Sequence, residues 1–175
     1  MSKRTIKDFD TNIEISKPLD LVSPETLLSD DDYRMVTSVF TIITKYKATN
    51  WTSEMSITEM HADLLTLQAN QANIAFRFGV LTSYADGVEE QLKIVRSKVR
   101  VNARTLKQKF EDEGDSVSIT MDDIKDMSYV KTEAVWKEFE QARIAANYIK
   151  FVYFAVKDSV QMLDHTIHRL SRHEQ

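Results

Sequence analysis

A chain of 175 residues that is 42% hydrophobic is long enough to bury one core and short for a multidomain enzyme. Three Gly and two Pro argue against an all-β fold built on tight turns, and the absence of Cys removes disulfide frameworks, thiolate zinc sites and cysteine nucleophiles. The net charge of −4, from 23 Lys plus Arg against 27 Asp plus Glu, argues against an indiscriminate polycation. No apolar run approaches the roughly 20 residues of a membrane span, and the opening MSKRTIKDFD lacks the apolar core of a secretory signal. No membrane partner and a cytoplasmic location are therefore expected.

In chain order, residues 1–22 show no helical period and contain Pro18, which predicts an irregular arm or one short strand. Ser23-Pro24-Glu25 supplies an N-cap, a Pro suited to the first helical position and an early acid, so a helix is expected over about 24–47. Ser29 and Asp32 offer a restart with the spacing of a capping box. The apolar face of this helix uses Leu28, Met35, Val36, Val39, Phe40, Ile43 and Tyr46. Residues 47–53, with Trp51, break the pattern and read as a connector.

Stepping alternately four and three residues from Met60 gives Met60, Leu64, Leu67, Gln71, Ile74, Phe78, Leu81, Ala85, Val88, Leu92, Val95, Val99, Asn102 and Leu106. All but Gln71 and Asn102 are apolar, the heptad pattern of a coiled-coil seam. The seam keeps its phase across Gly79 and Asp86-Gly87, which predicts one long helix over about 56–110. A polar loop at 111–120 contains EDEGD, and Thr120 to Asp123 provides a cap for the next helical stretch, which begins with a short helix or turn over Met121 to Met127 and is taken as a long helix over about 121–172. The same stepping from Val135 gives Phe139, Ala142, Ala146, Ile149, Tyr153, Val156, Val160, Leu163, Ile167 and Leu170, all apolar. Two heptad helices joined by a short loop run antiparallel. The expected fold is all-α: one helical domain over 23–175, a long antiparallel hairpin with coiled-coil heptads plus an N-terminal helix and an irregular arm.

Apolar residues also lie off the second seam: Trp136, Tyr148, Phe151, Val152, Phe154 and Met162. The N-terminal helix can cover one side of this girdle. A homo-oligomer, with Tyr148, Phe151 and Phe154 at its interface, would cover another; a monomeric three-helix bundle is the alternative.

The charge is segregated. Residues 91–110 hold seven Lys or Arg and no acid, so the rest of the chain carries −11. On a helical wheel Lys93, Arg96, Arg100, Arg104 and Lys107 fall within an arc of about 80°, whereas Lys98 and Lys109 point elsewhere. Arg can grip a phosphate with two donors at once, which makes the stripe a candidate polyanion site. It can equally be a coiled-coil flank, answered across the hairpin by Glu133, Glu138 and Glu140.

No catalytic signature is present: there is no Gly-rich phosphate loop, no G-x-S-x-G and no H-E-x-x-H. His165, His168 and His173 with Asp164 have a spacing that a metal could use, but a polar, frayed helix end explains them more simply, as an N-terminal acid cluster explains Asp122-Asp123. No catalytic residue, metal or cofactor is assigned.

Residues 99–172 resemble the UvsY-type recombination mediators of tailed phages. The resemblance rests on the basic run Val99-Arg100-Val101-Asn102-Ala103-Arg104 closing a helix, the loop EDEGD, the following Ser118-Ile119-Thr120-Met121-Asp122, and a long C-terminal helix ending in His168-Arg169-Leu170. It covers under half of the chain, and the 55 or so residues at the N-terminus and the net acidity depart from it. It implies a small helical ring-former that binds single-stranded DNA, through Arg100 and Arg104 here, and helps load a RecA-like recombinase onto DNA covered by single-strand-binding protein. The expected function is thus a non-enzymatic recombination mediator of phage type; the rival is a helical scaffold or assembly chaperone that binds no nucleic acid.

Overall fold

The computed structural model describes residues 3–5, 8–9, 27–48 and 56–173. The fold is all-α: helices α1 (Asp30–Ala48), α2 (Ile57–Asp112), α3 (Met121–Lys131) and α4 (Glu133–His173), with two-residue strands β1 (Lys3–Arg4) and β2 (Ser116–Val117) paired in parallel. No helix among the described residues is long and apolar enough to cross a membrane.

α1 begins at the restart signal. The Ser29 amide donates to Asp32 Oδ2 at 2.8 Å and the Asp32 amide to Ser29 Oγ at 3.1 Å, a closed capping box. The helix therefore starts at Asp30 rather than near 24; the Ser23-Pro24-Glu25 signal lies outside the described residues, as do residues 49–53 of the connector with Trp51. α2 is continuous through Gly79 and Gly87. It ends two residues beyond the expected 110, in a Schellman turn: Gly114 takes φ +80, its amide donates to Glu111 O, and the Asp115 amide reaches back to Phe110 O. Thr120 and Asp123 form the expected capping box of α3, and the bonds from Thr120 hold the Asp123 carboxyl below its usual range.

The expected single helix over 121–172 is two helices. Thr132 takes φ −107 and ψ 12, and its hydroxyl donates to Ser128 O at 2.8 Å. No Pro or Gly marks this break; a buried Thr and Ser with local hydroxyl partners accommodate it.

In place of one core spanning 23–175, the contacts form two compact units: Met1–Val22 with Tyr84–Gln141, and Ser23–Ser83 with Ala142–Gln175. Each adds its own third element to the α2 and α4 pair. In the second unit α1 contributes Val36, Val39, Ile43 and Tyr46 to a core with Leu67, Ile74 and Leu81 of α2 and Ile149, Val152, Val156 and Leu163 of α4. Every expected apolar residue of α1 is buried or half-buried. Asp63 ties the end of α1 to α2, accepting from Lys45 Nζ at 2.8 Å and Tyr46 Oη at 2.7 Å; burial and this carboxylate push the Tyr46 hydroxyl up. Arg77 pins the start of α1, bonding Asp32 and Leu27 O at 3.0 Å each.

In the first unit the core joins Val95, Val99, Ala103 and Phe110 of α2 to Ile119, Ile124, Met127 and Phe9. Here the α2 seam departs from its predicted phase. Asn102 is exposed and Ala103 is fully buried, so the steps run Val95, Val99, Ala103, Leu106, Phe110. Two successive steps of four are a stutter, which turns the seam toward α3. The arm is more than an irregular tail: β1 pairs with β2, Arg4 Nε meets Asp115 Oδ2 at 2.7 Å, and Phe9 packs edge-on against Phe110 at 5.5 Å. The rest of the arm, 10–22, lies outside the described residues. The α2 partners descend in number as α2 advances, Tyr84 with Glu138, Arg96 with Thr132, Arg100 with Ser128 and Lys107 with Ile119, which is the antiparallel order expected.

Phe9→Ala is expected to destabilise the first unit by about 3 kcal/mol, the usual cost of emptying a buried Phe site, seen as lost amide protection in α3. At Gly79 an added Cβ meets nothing within 4 Å. Gly79→Ala should therefore raise stability by about 0.5–1 kcal/mol through helix propensity alone, measured by urea denaturation.

Candidate nucleic-acid interface

The stripe Lys93, Arg96, Arg100, Arg104 and Lys107 lies on α2 within the first unit, and its members differ in environment. Lys93 is exposed and paired at 2.9 Å with Glu89, one turn upstream of it and just outside the acid-free segment; this carboxylate raises the Lys93 pKa. Lys107 is half-buried and donates to Ile119 O at 3.0 Å, with Glu111 at 3.9 Å. Arg104 is exposed and has no ion-pair partner among the described residues.

Arg96 and Arg100 are half-buried, and their anchors are neutral. Arg96 Nε donates to Thr132 Oγ1 at 3.1 Å, and Arg100 Nε to Ser128 Oγ at 3.0 Å. Both hydroxyls pass their own proton to a carbonyl, Thr132 to Ser128 O and Ser128 to Lys125 O at 2.6 Å, so each has a lone pair to offer the guanidinium. The guanidinium carbon of Arg96 stands 4.5 Å from the Tyr129 ring centroid and 5.4 Å from that of Trp136; Arg100 stands 5.7 Å from Tyr129. Such contacts hold the planar cation over the rings while leaving its charge intact. The terminal nitrogens of both arginines make no hydrogen bond or ion pair among the described residues, so both terminal nitrogens of each, with their four N–H groups, stay available.

The three acids expected to answer the stripe across the hairpin are engaged elsewhere or do not reach it. Glu133 pairs with Lys137 at 2.7 Å, Glu138 accepts from the Tyr84 hydroxyl, and Glu140 makes no contact with the stripe. Among the described residues, the row from Arg96 to Arg104 is thus a line of cations with no carboxylate against it.

Ser128, Tyr129, Thr132 and Trp136 are the residues that sequence reasoning did not attach to this site. A signal for two of them existed: stepping back from Val135 by three and four lands on Thr132 and Ser128, hydroxyls where the seam elsewhere has apolar side chains.

The candidate interface residues lie on α4 in the second unit. Phe151 is 64% exposed and stacks on Phe40 of α1 at 6.3 Å; Phe154 is 46% exposed and meets Tyr153 edge-on. Tyr148 lines an open groove with Val36, Phe40, Thr41 and Thr44. Ile144, one turn before Tyr148 and also exposed, extends the same apolar stripe. Val152, by contrast, is buried in the core against α1.

His165 and His168 are exposed near the end of α4, where they line an open groove with Arg169 and Arg172; His168 lies 3.7 Å from Asp164. The His173 side chain is outside the described residues, among which no group of three or more His, Asp or Glu could hold a metal.

No family model, curated protein or solved structure matches the chain.

If the apolar stripe of α4 holds protomers together, Phe151→Glu and Phe154→Glu should each lower the sedimenting mass toward the 20.2 kDa protomer while leaving helicity intact, since both side chains are exposed. Unchanged mass for both variants would assign the apolar stripe another role.

Proposed function

We propose that this protein is a non-enzymatic mediator of phage-type recombination that binds single-stranded DNA through Arg96, Arg100 and Arg104. The observation that carries the reading is the electrostatic state of the row. Among the described residues, Arg96 and Arg100 are positioned by neutral hydroxyls and aromatic rings rather than carboxylates, so their charge is organised without being cancelled there. An intramolecular ion-pair flank would place carboxylates on these guanidiniums. The acidic remainder of the chain confines polyanion binding to this face.

The resemblance over residues 99–172 extends the reading to a homo-oligomer that displays several such rows, acts in the host cytoplasm, and hands DNA covered by single-strand-binding protein to a RecA-like recombinase. The exposed stripe of Ile144, Tyr148, Phe151 and Phe154 supports self-association. It equally suits the second reading, a scaffold or assembly chaperone whose apolar face grips another helix.

Titration of a labelled oligonucleotide at several salt concentrations separates the two. Three arginines per protomer give a log-log slope of about −2, at about −0.7 per neutralised phosphate for single strands. Arg104→Ala, an exposed change, should flatten this slope by about 0.7 without altering stability. Absence of binding at low salt, or equal binding by Arg104→Ala and Arg100→Ala variants, would leave the scaffold reading in place.

A further inference from the structure

Tyr129 closes the last turn of α3 and Trp136 opens the first turn of α4, and both stand beside the arginine row with 42% and 40% of their surface exposed. Aromatic surface left open beside cations is the combination on which single-stranded nucleic acid stacks its bases and seats its phosphates. The orientation of the two rings is fixed. Arg96 lies over both rings, Arg100 lies over Tyr129, and Phe139 buttresses Trp136 with ring centroids 5.6 Å apart. The same few side chains thus place exposed ring surface and phosphate donors together.

We infer that Tyr129 and Trp136 form, with Arg96 and Arg100, a base-stacking platform that selects unpaired nucleotides over duplex. This rests on the proposed strand binding and adds its specificity. A nucleobase in a duplex has both faces occupied by its neighbours, whereas an unpaired base can lay one face on an exposed ring while its phosphate reaches the guanidinium terminal nitrogens. Stacking of this kind tolerates any base, because every base has a π-face. Cations alone would bind single and double strands by charge density; the rings supply the discrimination.

The chain has two Trp, so a Trp51→Phe background leaves Trp136 as the sole tryptophan reporter. In that protein, oligothymidylate should quench Trp136 emission, and a duplex of equal length should not. Trp136→Leu and Tyr129→Leu should each weaken oligothymidylate binding about tenfold, the scale of one lost stacked base, with the salt slope and duplex binding unchanged. Tyr129→Phe should bind as the parent does, and an abasic strand should not distinguish the parent from Trp136→Leu. If the parent binds the strand with Trp136 emission unchanged and both Leu variants bind equally well, the platform is overturned while phosphate contact stands. If the parent binds no strand at low salt, the strand-binding reading itself fails. Should a Leu variant lose its circular dichroism signature, the quenching result alone decides.

Discussion

A pair of antiparallel helices buries one stripe on each, and this constraint governs how the chain is assembled. Both α2 and α4 carry more apolar surface than their mutual seam can cover, so each compact unit recruits a third element. One unit uses α1, laid along the broad face of α4 where Val152 joins Ile149 and Val156. The other uses α3 with Phe9 of the arm, and the stutter at Ala103 turns α2 to meet them. The same economy determines what is left exposed: Tyr148, Phe151 and Phe154 stay open because α1 covers only one flank of α4.

The α3 unit has a polar counterpart to this packing. Where the seam passes Ser128 and Thr132, two hydroxyls replace the apolar side chains found elsewhere, and each meets an arginine of α2. A carboxylate at either position would make a stronger bond and would neutralise the guanidinium. A hydroxyl fixes the side chain and preserves the charge. Position and electrostatic potential are thereby set independently, a condition suited to contact with a flexible polyanion.

Periodicity along one helix is what the sequence displays most openly, and the seams of α2 and α4, the caps at Ser29 and Thr120 and the Gly114 turn are all local signals of that kind. A short helix or turn over Met121 to Met127 was legible, but the place of the break at Thr132 was not, because neither Thr nor Ser stops a helix by propensity; their buried hydroxyls and the arginines opposite are tertiary facts. Phe9 was hidden for the same reason, its partner Phe110 being remote in the chain. For the basic stripe, the wheel puts five cations in one arc, yet it could not separate Lys93, paired to Glu89, from Arg104, which is exposed with no ion pair among the described residues. That distinction depends on which residue lies opposite, and register between helices is not written in the spacing of either.

The parallel pairing of Lys3–Arg4 with Ser116–Val117 joins segments more than a hundred positions apart, and it imposes an order on synthesis. The arm leaves the ribosome well before β2 and has no partner strand until β2 has emerged. Closing so long a loop adds little entropic penalty beyond that of a moderate one, because the cost grows only with the logarithm of length. The unit containing the arginine row needs nothing beyond Gln141, whereas the α1 unit must wait for Ala142–Gln175. Vectorial translation therefore completes the charged unit first, while the apolar face of α1 is still waiting for α4.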